Sequence, residues 1–241
     1  MTDAGQPLPP CLGVRRFDRT RRLIEVVAAL AGLTLAAPVM LLIAIAIPID
    51  TPGPVLYSQM RIGRGGRHFR LYKFRKFRHP GEATDQNQKV TLKNDPRMTR
   101  VGRLIERTKL DELPQLWNVL VADMAIVGPR PESVEFADCF AGPLRSVLDY
   151  TPGLFGPNQV IFRNERCLYP EDRDPHEFYR RVLFPAKARV DLSYFPRRNV
   201  ISDIGWVARG VLGLSSSGAD ILDELSETKS RLTPATAAEP S

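Results

Sequence analysis

The chain has 241 residues, with 34 Lys and Arg against 27 Asp and Glu for a net charge of +7, 43% hydrophobic residues and three cysteines. That length carries one or two domains with a real core, and the balance of charged and aliphatic residues excludes a disordered chain. Cys11, Cys139 and Cys167, like His68, His79 and His176, lie scattered without metal-ligand spacing, which excludes a zinc site or disulfide framework and points to a reducing compartment.

The charge is segregated. Residues 1–78 hold 13 Lys and Arg against four acids, a net of +9, so the remaining 163 residues sum to −2. A basic segment, residues 1–22, leads into an apolar one, residues 23–49. Within the latter, Val26–Ile49 is 24 residues without a charge and with only the Thr34 hydroxyl as a side-chain polar group. As a straight helix this run reaches about 36 Å, enough for a hydrocarbon core of about 30 Å. It is too long, and begins too late, for a cleavable signal peptide.

Pro38 sits in its middle, where it removes a backbone hydrogen bond and bends a helix. Five arginines in residues 15–22 precede the run and eight Arg or Lys in residues 61–78 follow it. Basic flanks mark the cytoplasmic side of a membrane, and here both ends carry them. The expectation is a re-entrant, Pro-kinked helix-break-helix with both ends cytoplasmic, in preference to a straight span.

Beyond Thr51–Pro54, a turn, Val55–Gln59 reads as a strand, and the Gly63–Gly66 turn feeds His68–Phe77, so a short β-hairpin is expected. Phe69, Tyr72, Phe74 and Phe77 interleave there with Arg70, Lys73, Arg75, Lys76 and Arg78. So close to a membrane segment, this mixture suits an anionic lipid surface or a phosphorylated ligand better than nucleic acid. Residues 80–95 are polar and loop-like. A helix is expected around 98–109, and Leu113, Leu116, Trp117 and Leu120 have helical spacing on the next element. Pro114 belongs in the first turn of that helix and sets its start near Asp111.

Asp174-Pro175-His176-Glu177 reads as the capped start of another helix. Val200–Leu214 is apolar and too short to span, either a core helix or one lying on a membrane. Residues 50–214 form the cytoplasmic domain, and residues 215–241 form a polar tail expected to be disordered. The fold class is α+β, mostly helical: the membrane helix plus a small α/β catalytic domain with a β-hairpin and interfacial amphipathic helices.

Three features can carry chemistry. Adjacent carboxylates, Asp111-Glu112, at a helix start favour a divalent cation and a phosphorylated ligand, or merely complement the helix dipole. The tetrapeptide Leu110–Leu113 recurs as Leu222–Leu225 without the proline or the arginine cluster, so it is the surroundings that distinguish the first copy. In Val127-Gly128-Pro129-Arg130-Pro131, two prolines stiffen the backbone around a guanidinium suited to phosphate, or to loop carbonyls. Lys73-Phe74-Arg75 offers cations to a substrate or to lipid head groups.

The chain resembles the bacterial sugar transferases, the polyprenyl-phosphate phosphoglycosyl transferases with a single membrane segment. The resemblance rests on Gly53–Gln59 with Arg61 and Gly63; on Lys73-Phe74-Arg75; on Asp95-Pro96-Arg97 through Leu110–Gln115 to Asn118-Val119-Leu120; on Val127–Pro131; and on Pro152-Gly153-Leu154 to Gln159-Val160. It covers about residues 20–212. It implies transfer of a sugar 1-phosphate from a UDP-sugar to undecaprenyl phosphate at the inner face of the bacterial cytoplasmic membrane, initiating an exopolysaccharide, capsule, O-antigen or other glycan. It further implies Asp111 as nucleophile in a covalent phosphosugar intermediate, Glu112 as ligand of Mg²⁺, and Arg130 with Lys73, Arg75 and Arg97 as phosphate contacts.

Anionic membrane lipids are implied partners and nucleic acid is not, while a homo-oligomer stays open. The chain departs from the family pattern at Lys76-Phe77, at Lys109, where serine is common, at Ala122 and Ala125, and at Phe155–Asn158. A membrane-attached adaptor binding nucleic acid or acidic lipid, and a metal-dependent phosphohydrolase, are the alternative readings of the same residues.

Overall fold

The computed structural model describes residues 19–78, 95–170 and 174–214. The first 18 residues, most of the 80–95 loop, the 215–241 tail and the second Leu-Asp-Glu-Leu therefore lie outside the described residues. The first element, α1, runs without interruption from Arg19 to Asp50 and contains both Pro38 and Pro48. The helix thus continues through Pro38, and the expected break there does not occur. A proline removes only one ladder bond, and the turns on either side retain theirs.

One side of α1 leaves Leu23, Ile24, Val27, Leu35, Leu41, Leu42 and Ile45 exposed. The other side packs, and it packs at both ends. Near the start Ala29 is fully buried, and a Cβ on Gly32 would come within 3.2 Å of Leu116. Near the end Ile43 and Ile47 join Phe74 and Ile105 in a second apolar cluster.

Strands β1 (Leu56–Ile62) and β2 (His68–Phe74) form the antiparallel hairpin, from Leu56 opposite Phe74 to Ile62 opposite His68. Its first strand extends three residues beyond the expected end at Gln59, because the turn is built later: Gly63 N–H donates to the Arg67 carbonyl at 2.7 Å, and Gly65 takes φ 66°. Along β2 the side chains alternate, and Phe69 and Leu71 face inward. Lys73 continues that same face.

Helix α2 (Arg100–Arg107) is shorter than its expected span and starts at Thr99, whose hydroxyl caps the Gly102 N–H at 2.8 Å. The expected helix at Asp111 begins later. Leu110–Glu112 is a single 3₁₀ turn, and α3 (Gln115–Leu120) follows with Pro114 outside it as N-cap. Asp111 and Glu112 therefore sit in the tight turn between two helices rather than in the first turn of one. Asn118 docks α3 on β2: its amide donates to the Arg70 carbonyl at 2.7 Å and its oxygen accepts the Tyr72 N–H at 3.2 Å.

Strand β3 (Ala125–Val127) pairs in parallel with β5 (Gly153–Phe155), and between them β4 (Glu132–Ser133) adds to the hairpin to give the order β2-β1-β4. Helix α4 (Pro157–Ile161) leads to a helical stretch capped by Asp174, comprising α5 (Pro175–Phe178), a π turn over Tyr179–Leu183 and α6 (Phe184–Tyr194). The π turn ends two residues before Pro185, which has no N–H to continue the ladder.

Helix α7 (Val200–Leu212) is capped by an Asn199–Ser202 box. None of its residues is buried, and Val200, Ile201, Ile204, Val211 and Leu212 are exposed, so it is not a core helix. The main core lies between Ile62, Phe136, Phe140, Leu148, Phe162, Leu183 and Phe184.

Gly128 and Gly153 touch across β3 and β5. A Cβ on Gly128 would lie 2.1 Å from the Thr151 carbonyl oxygen, and one on Gly153 would lie 2.1 Å from the Gly128 nitrogen. Both neighbours are backbone and cannot yield without moving a strand. Gly128→Ala is therefore expected to lower stability by about 1–3 kcal/mol in denaturant unfolding; an unchanged midpoint would contradict this packing.

Candidate active site

The turn that carries the two carboxylates is held in place by what precedes and follows it. Lys109, at φ 59° and ψ 15°, ends the α2 segment in the left-handed region, and Glu112 N–H then donates back to the Lys109 carbonyl at 3.2 Å. Because Asn118 fixes α3 along β2, the turn lies against the end of that strand, where Lys73 points inward. The Lys73 ammonium lies 2.8 Å from Glu112 Oε1, and the Arg130 guanidinium approaches the same oxygen at 3.8 Å.

Arg130 is delivered by the β3–β5 contact. Gly153 N–H donates to the Pro129 carbonyl at 2.8 Å, and the Gln159 amide donates to the carbonyls of Gly128 and Gly153, both at 3.0 Å. Two prolines and these bonds leave the Arg130 backbone little freedom.

Asp111 is buried, 2% exposed, and its Oδ1 has no hydrogen-bond partner. Burial pushes its carboxyl above the usual range, and although Lys73 opposes that, the neighbouring Glu112 charge adds to it. For Glu112 burial acts the same way, but Lys73, Arg130 and Lys109 outweigh it and hold this carboxyl well below the usual range. The two adjacent acids are thus driven in opposite directions: Glu112 is a committed anion, while Asp111 is a desolvated and more basic carboxylate.

Both line a cavity of about 840 Å³, together with Lys73, Lys76, Arg97, Lys109, Arg130, Glu165 and Tyr169. No cluster of three or more His, Cys, Asp or Glu occurs among the described residues. Any cation here has two carboxylates and must draw its other oxygens from a ligand or water. Glu112 Oε2 and both oxygens of Asp111 accept no hydrogen bond from a described residue, and of these Asp111 Oδ1 is itself buried.

Of the residues singled out from the sequence, Asp111, Glu112, Lys73 and Arg130 come together. Arg75 lines the same cavity but is buried, and its guanidinium donates to the carbonyls of Pro54 and Thr51, both at 2.7 Å, tying the end of β2 to the exit of α1. Arg97 also lines the cavity, with its guanidinium on Asp95 at 2.9 Å and over the Phe77 ring at 4.9 Å. Pro38 lies inside α1.

Sequence reading missed the opposite wall. The Lys187 ammonium, 2% exposed, lies 3.0 Å from Glu165, 2.9 Å from the Tyr179 hydroxyl and 3.5 Å from Glu132. Tyr179 in turn donates to Glu132 at 2.5 Å. The carboxylates of Glu132 and Glu165, with Glu112, hold the Arg130 guanidinium firmly charged against the cost of its burial. These residues come from three separated segments, Glu132, Glu165 and the helical stretch that holds Tyr179 and Lys187, and no local spacing links them.

The sequence model of the bacterial sugar transferases matches residues 16–216. The chain belongs to that family. Among its relatives are the UDP-glucose:undecaprenyl-phosphate glucose-1-phosphate transferases of Xanthomonas campestris pv. campestris, 46% identical over 186 residues, and of Caulobacter vibrioides, 39% identical over 159 residues. These alignments take in 75% and 65% of this chain and 35% and 57% of the relatives. A third is the UDP-N-acetylgalactosamine-undecaprenyl-phosphate N-acetylgalactosaminephosphotransferase of Aeromonas hydrophila, 37% identical over 197 residues, or 77% of this chain and 44% of that one. The chain therefore spans between about a third and just over half the length of these three. All the carboxylate and cation positions described above fall within the stretch that the family model matches.

The buried lysine gives a stability test. Lys187→Met strands Glu132 and Glu165 on that wall, and is expected to cost about 3–5 kcal/mol in denaturant unfolding. Adding Glu132→Gln to it removes one stranded charge and is expected to recover part of the loss.

Proposed function

We propose that this protein transfers a sugar 1-phosphate from a UDP-sugar to undecaprenyl phosphate, through a covalent phosphosugar on Asp111, at the inner face of the bacterial cytoplasmic membrane. The observation that carries the reading is the buried Asp111 carboxylate, one oxygen unpartnered, beside a Glu112 clamped by Lys73 and Arg130 in a cavity of about 840 Å³. The named activities of the Xanthomonas, Caulobacter and Aeromonas relatives point the same way. Those relatives differ in the sugar, so the donor here is specified as a UDP-sugar and no further.

A carboxylate is a weak nucleophile and needs an electrophile that is neutralised and held in line. Desolvation raises the basicity of Asp111, which strengthens it as a nucleophile. Lys73 and Arg130 place positive charge where the donor diphosphate must lie, and the fixed Arg130 backbone limits the entropy lost in binding. The oxygen of Asp111 bonds to the β-phosphorus as its bond to the nucleotide breaks and UMP departs with the electron pair. A phosphate oxygen of undecaprenyl phosphate then bonds to the same phosphorus, and the Asp111 carboxylate is regenerated. Glu112, through Oε2, is the residue that would hold Mg²⁺, an ion that takes one or two carboxylates plus substrate phosphates and offsets their charge.

The placement of α1 supports a re-entrant segment. A straight helix would separate Arg22 from Asp50 by about 42 Å. Both nonetheless bind the same domain: the Arg22 guanidinium donates to the Leu120 carbonyl at 2.8 Å, and Asp50 accepts the Val101 N–H at 2.9 Å. Between the packed Gly32 and the packed Met40 lie seven residues, about 10 Å of helix and a third of a hydrocarbon core. The exposed apolar faces of α1 and α7 are joined by the Arg21–Asp203 pair at 2.9 Å, and together suit an anionic lipid surface with the catalytic domain on the cytoplasmic side. The basic strand residues serve phosphates and head groups in this reading, not nucleic acid.

With Mg²⁺, undecaprenyl phosphate and a broad panel of UDP-sugars, at least one donor is expected to release UMP, and Asp111→Asn to reduce that release by about three orders of magnitude or more while membrane binding survives. A panel in which no donor exceeds the Asp111→Asn level sinks the proposal. For topology, single cysteines at positions 12 and 80, in a chain lacking the three native cysteines, are expected to react from the same side of the membrane; labelling from opposite sides excludes the re-entrant arrangement.

A further inference from the structure

Lys109 holds a backbone conformation that L side chains rarely adopt, and among the described residues only Ala122 shares this with it outside glycine. The turn requires it. Lys109 N–H donates to the Glu106 carbonyl and its own carbonyl accepts from Glu112, each at 3.2 Å, so this one residue both ends the preceding helix and opens the turn of the two carboxylates. Glycine or asparagine meets that requirement with less strain. The lysine side chain therefore calls for a separate reason.

Its location supplies one. Lys109 lines the catalytic cavity and is half-buried, and its charge acts on both Asp111 and Glu112. Other cations of the cavity are committed: Lys73 to Glu112 at 2.8 Å, Lys76 to Glu106 at 2.7 Å, and Arg97 to Asp95 at 2.9 Å. The Lys109 ammonium makes no hydrogen bond or ion pair with any described residue. A strained backbone thus carries an unpaired ammonium beside the nucleophile, in a cavity whose substrates bear several negative charges.

We propose that Lys109 is a substrate-contacting residue whose ammonium pairs with the phosphate that leaves and the phosphate that enters, the α-phosphate of the nucleotide in the first displacement and that of the lipid acceptor in the second. This rests on the two-step reading above. When Asp111 bonds to the β-phosphorus, the bond to UMP breaks on the far side and UMP takes the electron pair. When the acceptor oxygen bonds to the same phosphorus, the Asp111–phosphorus bond breaks and its electron pair returns to the carboxylate. No proton has to move in either step. Because Asp111 keeps its side of the phosphorus throughout, the departing and arriving phosphates share one position, and one cation serves both.

The test uses the full chain in detergent with Mg²⁺. Lys109→Gly suits the left-handed turn and is expected to unfold at the same temperature as the parent or higher. Its affinity for UMP, measured by calorimetry, is expected to fall about tenfold, the scale of one lost charge-assisted hydrogen bond. The KM for undecaprenyl phosphate is expected to rise by a similar factor, and Lys109→Arg to restore most of both. A folded Lys109→Gly with UMP affinity and acceptor KM within twofold of the parent overturns the proposal, and so does a parent that fails to bind UMP. A change in only one of the two overturns the shared position. If the glycine variant does not fold, Lys109→Asn, also at ease in this turn, takes its place with the same outcomes. Retention of transfer by Asp111→Asn would instead sink the two-step reading, whatever Lys109 does, so the two failures are distinguishable.

Discussion

Everything around the cavity depends on keeping one partly buried anion, Glu112, paired. Glu112 keeps only 18% of its side chain exposed, and a carboxylate left unpaired in such a place is costly. Lys73 at 2.8 Å and Arg130 behind it resolve that cost. Once their charge is committed to Glu112, Asp111 is left as the carboxylate that burial raises. The difference between the two acids follows from which of them the cations reach, since their own chemistry is nearly the same.

Three parts of the chain must be brought to within a few ångströms for that pairing, and each has its own anchor. Strand alternation turns Lys73 inward, Asn118 binds α3 to β2, and the glycine contact between β3 and β5 presents the Pro129-Arg130-Pro131 segment. The anchors are mostly backbone hydrogen bonds and close glycine packing, which tolerate little displacement. The Lys187 network forms a second layer, since its carboxylates hold the charge on Arg130 from the other side.

Helix α1 belongs to the same construction. Ala29 is buried with Phe69, Leu71, Val119 and Met124, the residues that bring α3 and β2 together, and Ile47 is buried with Phe74 and Ile105. Arg75 links the exit of α1 to the end of β2, two residues from Lys73. The apolar helix therefore helps to build the domain that bears the carboxylates. In the re-entrant reading proposed above this couples the depth of the protein in the lipid to the height of the Asp111-Glu112 turn.

The sequence by itself determined the long apolar segment, the hairpin, the capped helix at Asp174 and the four charged residues that meet at the cavity. These follow from local rules: hydrophobic runs, turn residues, caps, and stiff proline-flanked arginine. Only the tertiary structure decided that Asp111-Glu112 occupies a 3₁₀ turn, that Arg75 binds loop carbonyls, that Val200–Leu212 stays on the surface, and that Lys187 sits across from the carboxylates. Sequence spacing carries information about neighbours within one helix or strand. Which cation meets which carboxylate is set by contacts between elements, such as the 73–112 pair, where 39 residues separate the partners and desolvation, not spacing, gives the pairing its strength.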